Sequence, residues 1–407
     1  MSATQEDVAP KDAQQLAKIV ARCNGRNEKI RVAGGETLAG MGFSAERVDV
    51  KLVTTKLSGI VAHESADLVI AARAGTPIQT VATTLAAQGQ FVPFDAPLAQ
   101  HATLGGTLAA GWLGPRRHRY GRLRDFVIGS TIVLADGTTA RAGGMVVKNV
   151  AGYDMSRLYV GSFGTLGVLV QANLKTMPMP PQARLFLAPL PERSRVRACA
   201  QLAELPAGPA AAFWIEGFHH GIDGDEGPEG RILALLEGSA ALLERATLEL
   251  RSALGRAGVP ETRIVDAGAR ECFERVIDAY VASLGQRSVT YRLYPFPSES
   301  VLCATKLHAL SRSFELRSET IVDLMNGDVV LRVSDFDMHA FGSKIESFDE
   351  KLHEEEPRAI VVASDHPHRG NLRVWGVAAP AIERMRALKE RFDPNRTLNP
   401  GCFVGGI

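Results

Sequence analysis

The stretch GSFGTLGVLVQANLK (161–175) decides the fold. Its glycines, Gly161, Gly164 and Gly167, recur every third residue and lead directly into an alternating apolar run that reads as a strand. The nicotinamide-type dinucleotide fingerprint has the spacing GxGxxG and opens a helix. Both the spacing and the following element exclude that reading here. No GxxxxGK[ST] occurs, which excludes a P-loop nucleotidase.

Working outward, three further glycine turns punctuate the first 180 residues: Gly34-Gly35, Gly105-Gly106, and Gly111 with Gly114. Any one of these has a bland reading as a turn. As a set they suggest backbone brought close to a ligand and N–H groups turned towards phosphate, because no Cβ intervenes. Between them, KDAQQLAKIVARCN (11–24) has helical spacing and KIRVAGG (29–35) is a short strand. TPIQTVATTLAAQG (76–89) reads as a helix capped by Thr76 with Pro77 in its first turn, and Asp136-Gly137 signals a hairpin.

The proline-rich MPMPPQ (177–182) reads as a boundary. The expected organisation is a glycine-turn domain over 1–180, a separate α+β domain over 181–370, and a C-terminal segment over 371–407.

The chain has 407 residues, 45% of them hydrophobic and 22% charged, enough for two domains with real cores. Its 46 basic and 45 acidic residues leave a net charge of +1, which argues against bulk nucleic-acid binding. The opening MSATQEDVAPKDAQQ is polar, so no secretory signal is expected, and no apolar run is long enough to span a membrane. Five cysteines are scattered without a CxxC pair, which suits a reducing, cytoplasmic setting and cannot build an iron–sulfur cluster.

Two longer segments resemble a known family. HATLGGTLAAGWLGPRRHRYGRLRDFVIGSTIVL (101–134) and VKNVAGYDMSRLYVGSFGTLGVLVQANLKTMP (147–178) resemble the FAD-binding domain of the vanillyl-alcohol-oxidase (PCMH-type) flavoenzymes. Gly34-Gly35 and ARAGTP (72–77) extend the resemblance. Within that family GPRR, KNVAGYD and GSFGTLG, in that order, are most similar to FAD-binding subunits of glycolate oxidases. FDPNRTLNPG is similar to the family's closing element, which folds back to the flavin.

The resemblance implies an α+β fold with a two-lobed FAD-binding domain and an α+β cap. It assigns Gly34, Gly35, Glu36 and Thr37 to the pyrophosphate turn, with Glu36 standing where the family has a glycine. It assigns Thr103, Leu104, Gly105, Gly106 and Thr107 to the stretch that wraps the pyrophosphate and ribityl chain, and Gly161, Gly164, Gly167 and Val168 to the third flavin block. Neither family attachment position carries His or Cys, so the FAD is expected to be non-covalent. The function implied is oxidation of a small 2-hydroxy acid, glycolate to glyoxylate. Electrons would pass to an iron–sulfur subunit beside a second FAD-binding flavoprotein subunit, and membrane association would come only through such partners.

Arg116, Arg117, His118 and Arg119 form a basic cluster that reads either as a clamp for phosphate or carboxylate, or as a surface or subunit face. Lys148 and Asn149 are candidates for stabilising negative charge on a reduced flavin, and Tyr153 for hydrogen bonding there. Asp365-His366-Pro367-His368 and His219-His220 with Asp223 and Asp225 lack a full ligand set, so no metal site is expected. No catalytic residue is identifiable. Two other functions stay open: an electron-transfer or structural flavin subunit, and a stand-alone sugar or alcohol oxidase.

Overall fold

The computed structural model describes residues 6–42, 47–146, 153–206, 208–218, 230–259, 262–281, 288–335, 341–364, 369–376 and 380–407. The chain divides into two compact units. The first holds Met1–Gly114, Arg122–Met179 and Ala378–Ile407; the second holds Pro115–Gly121 and Pro180–Val377.

The first unit carries two main sheets and a two-stranded antiparallel pair, Gln90–Phe91 with Met177–Pro178. In the smaller main sheet, Glu6–Val8 and Ile30–Ala33 each pair in parallel with Val50–Val53. Helix Ala13–Gly25 begins at Asp12, whose carboxylate accepts the Gln15 N–H at 2.8 Å. Leu16, Val20 and Cys23 lie three and four residues apart on one face, and that face is buried with Ile30, Leu52, Val168 and Leu398. The larger sheet is antiparallel, ordered Ile60–Glu64, Val69–Arg73, Val168–Lys175, Val127–Val133, Thr139–Gly143. Strand Val168–Lys175 shows why alternation predicts a strand: Val168, Val170, Ala172 and Leu174 are buried and their neighbours half-buried.

Thr76 does not cap the following helix. Its hydroxyl accepts from Gly59 N at 2.9 Å and reaches Gly59 O at 3.2 Å, and the helix runs Ile78–Ala86 from Pro77. A long-range partner has taken the side chain that local spacing assigned to a cap. YDMSRLYV forms a single helical turn, Ser156–Tyr159.

The second unit is built on an eight-stranded antiparallel sheet ordered Arg263–Val265, Gln182–Pro189, Arg231–Gly238, Ala211–Glu216, Arg317–Asp323, Val329–Ser334, Ser288–Leu293, Ile360–Ser364. Its central strands 211–216, 329–334 and 288–293 are buried almost throughout, as strands covered on both faces must be. Among the described residues, no helix is long and apolar enough to cross a membrane.

Candidate cofactor site

The first unit contains a cleft of about 1400 Å³ that is continuous with solvent. The cleft is lined by three loops brought together from far apart in the chain: 31–41, 103–110 and 159–169.

The turn at 34–37 follows strand Ile30–Ala33 and is shaped by close chain approach. A Cβ on Gly35 would lie 1.7 Å from the His101 carbonyl oxygen, and one on Gly34 would lie 2.3 Å from Thr103 Oγ1. These glycines are required by the neighbouring chain as much as by any ligand. Among the described residues, no hydrogen bond claims the N–H groups of Gly34, Gly35, Glu36 and Thr37. Four successive unclaimed amides in a turn that lines the cleft are donors available to an anion. Glu36 adopts φ 55°, left-handed backbone that costs a non-glycine residue about 1–2 kcal/mol.

The stretch Thr103–Thr107 meets the cleft through side chains and Cβ-less surface. Its N–H groups are taken within the fold: Leu104 N by Thr76 O at 2.9 Å and Gly105 N by Ala74 O at 2.7 Å. Gly106 N goes to Thr103 Oγ1 at 3.2 Å, and Thr107 N to Thr103 O at 2.9 Å. What remains for a ligand is the Cβ-less surface of Gly106 and the Thr107 hydroxyl. Thr107 is 2% exposed, lines the cleft, and its Oγ1 has no partner. A buried hydroxyl without a partner costs roughly 1–3 kcal/mol, which a bound group can recover.

The third loop is held by two supports. Gly161 N donates to Leu108 O at 2.9 Å and Phe163 N to Ala109 O at 2.8 Å, fixing it to the helix Leu104–Ala110. The C-terminal segment holds its other side: Asn399 Nδ2 donates to Phe163 O at 2.5 Å while Asn399 Oδ1 accepts from Val32 N at 2.7 Å. Lys389, itself buried, donates to Thr165 O and Leu398 O, each at 2.8 Å, and to Asp393 at 2.6 Å. Burial pulls the Lys389 pKa down, and Asp393 opposes that shift. Burial raises the pKa of Tyr159, which also lines the cleft.

Of the expected cofactor residues, Gly34, Gly35, Glu36, Thr37, Thr103, Gly105, Gly106, Thr107, Gly164, Gly167 and Val168 line this one cleft. Leu104 points into the core and, like Gly161, is not among the lining residues. Lys148, Asn149 and both histidine constellations lie outside the described residues. Tyr153 is 94% exposed.

Arg116 belongs to the second unit and is not among the residues that line the cleft. It pairs with buried Glu237 at 3.3 Å and stacks over Phe273 at 5.2 Å. Arg117 bonds Asp328 at 2.6 Å, and Arg119 donates to Glu237 O at 3.1 Å and to Gly208 O at 3.3 Å. The basic cluster is therefore engaged in internal ion pairs and carbonyl contacts. Sequence reasoning missed Asn399, Cys402 and the Ser130–Ser156 hydroxyl pair, 3.0 Å apart, all of which line the cleft. For Asn399 and Cys402 the signal was the closing element itself; for the serines there was none.

The cleft belongs to a mixed helix-and-strand domain that matches known FAD-binding domains. Residues 5–155 match the FAD binding domain family. Over 97% of its length the chain superposes on an alkyldihydroxyacetonephosphate synthase, with a TM-score of 0.70, 15% identity and 75% of that chain covered. At that identity the likeness shows the fold alone.

Three curated relatives bear on function. The chain is 40% identical over 190 residues to glycolate oxidase subunit GlcE of Escherichia coli (strain K12), covering 44% of this chain and 52% of that protein. It is 31% identical over 181 residues to glycolate oxidase subunit GlcD of Bacillus subtilis (strain 168), covering 44% and 38%. It is 29% identical over 182 residues to a D-2-hydroxyglutarate dehydrogenase of Xanthomonas citri pv. viticola, covering 45% and 39%. The chain thus spans about half, or less, of the length of the curated relatives it matches.

Unclaimed amides at 34–37 and the orphaned Thr107 hydroxyl fit a dinucleotide with phosphates and a polar ring edge. FAD is the cofactor this domain binds.

Proposed function

We propose that the chain is the FAD-binding subunit of a glycolate oxidase-type 2-hydroxy-acid dehydrogenase. It would work beside a second flavoprotein subunit and an iron–sulfur subunit. The observation that carries this reading is the 40% identity to a glycolate oxidase subunit across a region of 190 residues, in a chain whose first unit holds the cleft.

Bound FAD would supply a two-electron acceptor for the hydride on C2 of glycolate, giving glyoxylate. The chain's own residues bind and orient. The 34–37 amides hold phosphate, Thr107 Oγ1 supplies a buried hydrogen bond, and Asn399 with Lys389 keeps the 161–167 loop against the cleft. The FAD is held non-covalently. Cys402 lines the cleft, so acid precipitation is the direct check: yellow supernatant supports this, and a coloured pellet assigns a covalent bond.

A second reading, an electron-transfer subunit that does not itself oxidise substrate, is favoured by one observation. Arg116 and Arg117, the side chains that would clamp a substrate carboxylate, are committed to Glu237 and Asp328. Anaerobic mixing with excess glycolate separates the two. Rapid bleaching of flavin in the chain alone assigns hydride chemistry to it, and bleaching only in the assembled complex assigns electron transfer. Sustained oxygen-dependent turnover by the chain alone would remove the partner requirement.

A further inference from the structure

Arg31 and Lys51 are register partners on the neighbouring parallel strands Ile30–Ala33 and Val50–Val53. Their side chains share a face, and like charges placed side by side repel. The Glu36 carboxylate bridges them, with Oε1 3.0 Å from Arg31 and Oε2 2.6 Å from Lys51. Arg31 and Glu36 line the cleft beside the four unclaimed amides. Glu36 reaches this position from left-handed backbone, where glycine would sit without strain. Two cations and one carboxylate leave a single net positive charge at the phosphate end of the cleft. Removing the carboxylate would double it.

We propose that Glu36 is a brake on cofactor loading, and that Arg31 and Lys51 are the cations the cofactor's diphosphate recruits. In the structure the carboxylate holds both. An arriving diphosphate competes with it for the same two side chains, so affinity is set by the difference between two anions, and the cofactor stays exchangeable. All three side chains are partly exposed, with side-chain accessibilities of 42%, 36% and 21% for Arg31, Glu36 and Lys51, so they can exchange partners without unfolding the turn. The proposal rests on placing the diphosphate on the 34–37 turn.

Glu36→Gln removes the charge and keeps the side-chain length; Glu36→Gly also relieves the backbone. The full chain, freed of flavin, is titrated with FAD, ADP and riboflavin at low and high salt. Glu36→Gln is expected to bind FAD and ADP about tenfold more tightly at low salt. The gain should shrink at high salt, with riboflavin unchanged. Glu36→Gly should gain at least as much, while Arg31→Met and Lys51→Met should each lose affinity for FAD and ADP only. Unchanged or weaker FAD and ADP binding by a Glu36→Gln variant with the native unfolding midpoint overturns the brake. An equal gain for riboflavin overturns it too, by moving the effect to the flavin end. Tight FAD binding with no ADP binding in any variant overturns the diphosphate placement itself.

Discussion

The first unit leaves polar groups open around its cleft, whereas one arginine–carboxylate cluster of the second unit closes on itself. At the cleft, four amides at 34–37 and the Thr107 hydroxyl have no partner among the described residues. In the second unit, Asp328 is 2% exposed and bonds Arg117 at 2.6 Å and Arg292 Nε at 3.1 Å. Asp323, 1% exposed, accepts from Asn326 and lies 3.7 Å from Arg117. Glu237 takes Arg116 and the Tyr120 hydroxyl. Arginines near carboxylates read the same way in a sequence whether they grip a ligand or one another. Burial with complete pairing marks the second case; burial with an orphaned group facing a cavity marks the first.

Breaking the closed side should cost the most. Asp328→Ala leaves the Arg292 and Arg117 guanidinium groups without their shared carboxylate, and is expected to destabilise the chain by about 3–5 kcal/mol. Guanidinium unfolding checks this, and the FAD dissociation constant of the folded variant should stay native. Loss of FAD binding in that folded variant would place these arginines in the cofactor site and dissolve the contrast.

Blocking the open side comes next. A Cβ at Gly106 would meet only Thr103 Oγ1, at 3.0 Å, and otherwise open space. Gly106→Val should therefore fold, yet bind FAD roughly 5- to 150-fold more weakly, since overpacking a fitted site costs about 1–3 kcal/mol. Copurification with stoichiometric FAD would show that this surface does not meet the cofactor.

The closed side also predicts a pH dependence. Burial first, then the neighbouring Asp328, raises the Asp323 pKa from 3.8 to about 7, opposed by Arg117 and Asn326. With the folded pKa above the unfolded one, the native state keeps a proton that the unfolded state has lost. This group's contribution is therefore full below about 3.8, declines as pH rises towards 7, and is flat beyond. Asp323→Asn, neutral at every pH, should flatten the stability profile between those limits relative to the parent chain. An identical slope in both proteins would assign the dependence to other groups.

The smallest expected effect sharpens the open side. Thr107→Val preserves shape and removes the orphaned hydroxyl. It should leave stability native or slightly higher and weaken FAD roughly three- to tenfold, the worth of one hydrogen bond of about 0.5–1.5 kcal/mol. Isothermal titration measures it, and native affinity would mean the hydroxyl bonds something other than the cofactor.

Much of the first unit was legible in order along the chain. Glycine turns at 34–35, 105–106 and 161–167 are local features, because a missing Cβ can be seen one residue at a time, and alternation made 168–175 a strand. The cap at Thr76 was misread because a residue 17 positions away competes for its hydroxyl.

The residue types and spacings by themselves determined a glycine-turn domain suited to a phosphate-bearing ligand, joined to a second α+β region, and the resemblance of its segments named FAD. Those properties follow from local backbone freedom and periodic burial. Only the tertiary structure decided that Arg116 and Arg117 serve the second unit, that Asn399, Cys402 and Ser130 reach the cleft, and that Glu36 sits between two cations. Each of those depends on partners distant in sequence, Glu237, Asp328, Phe163, Ser156 and Lys51 among them, and a charge's role is set by what it meets.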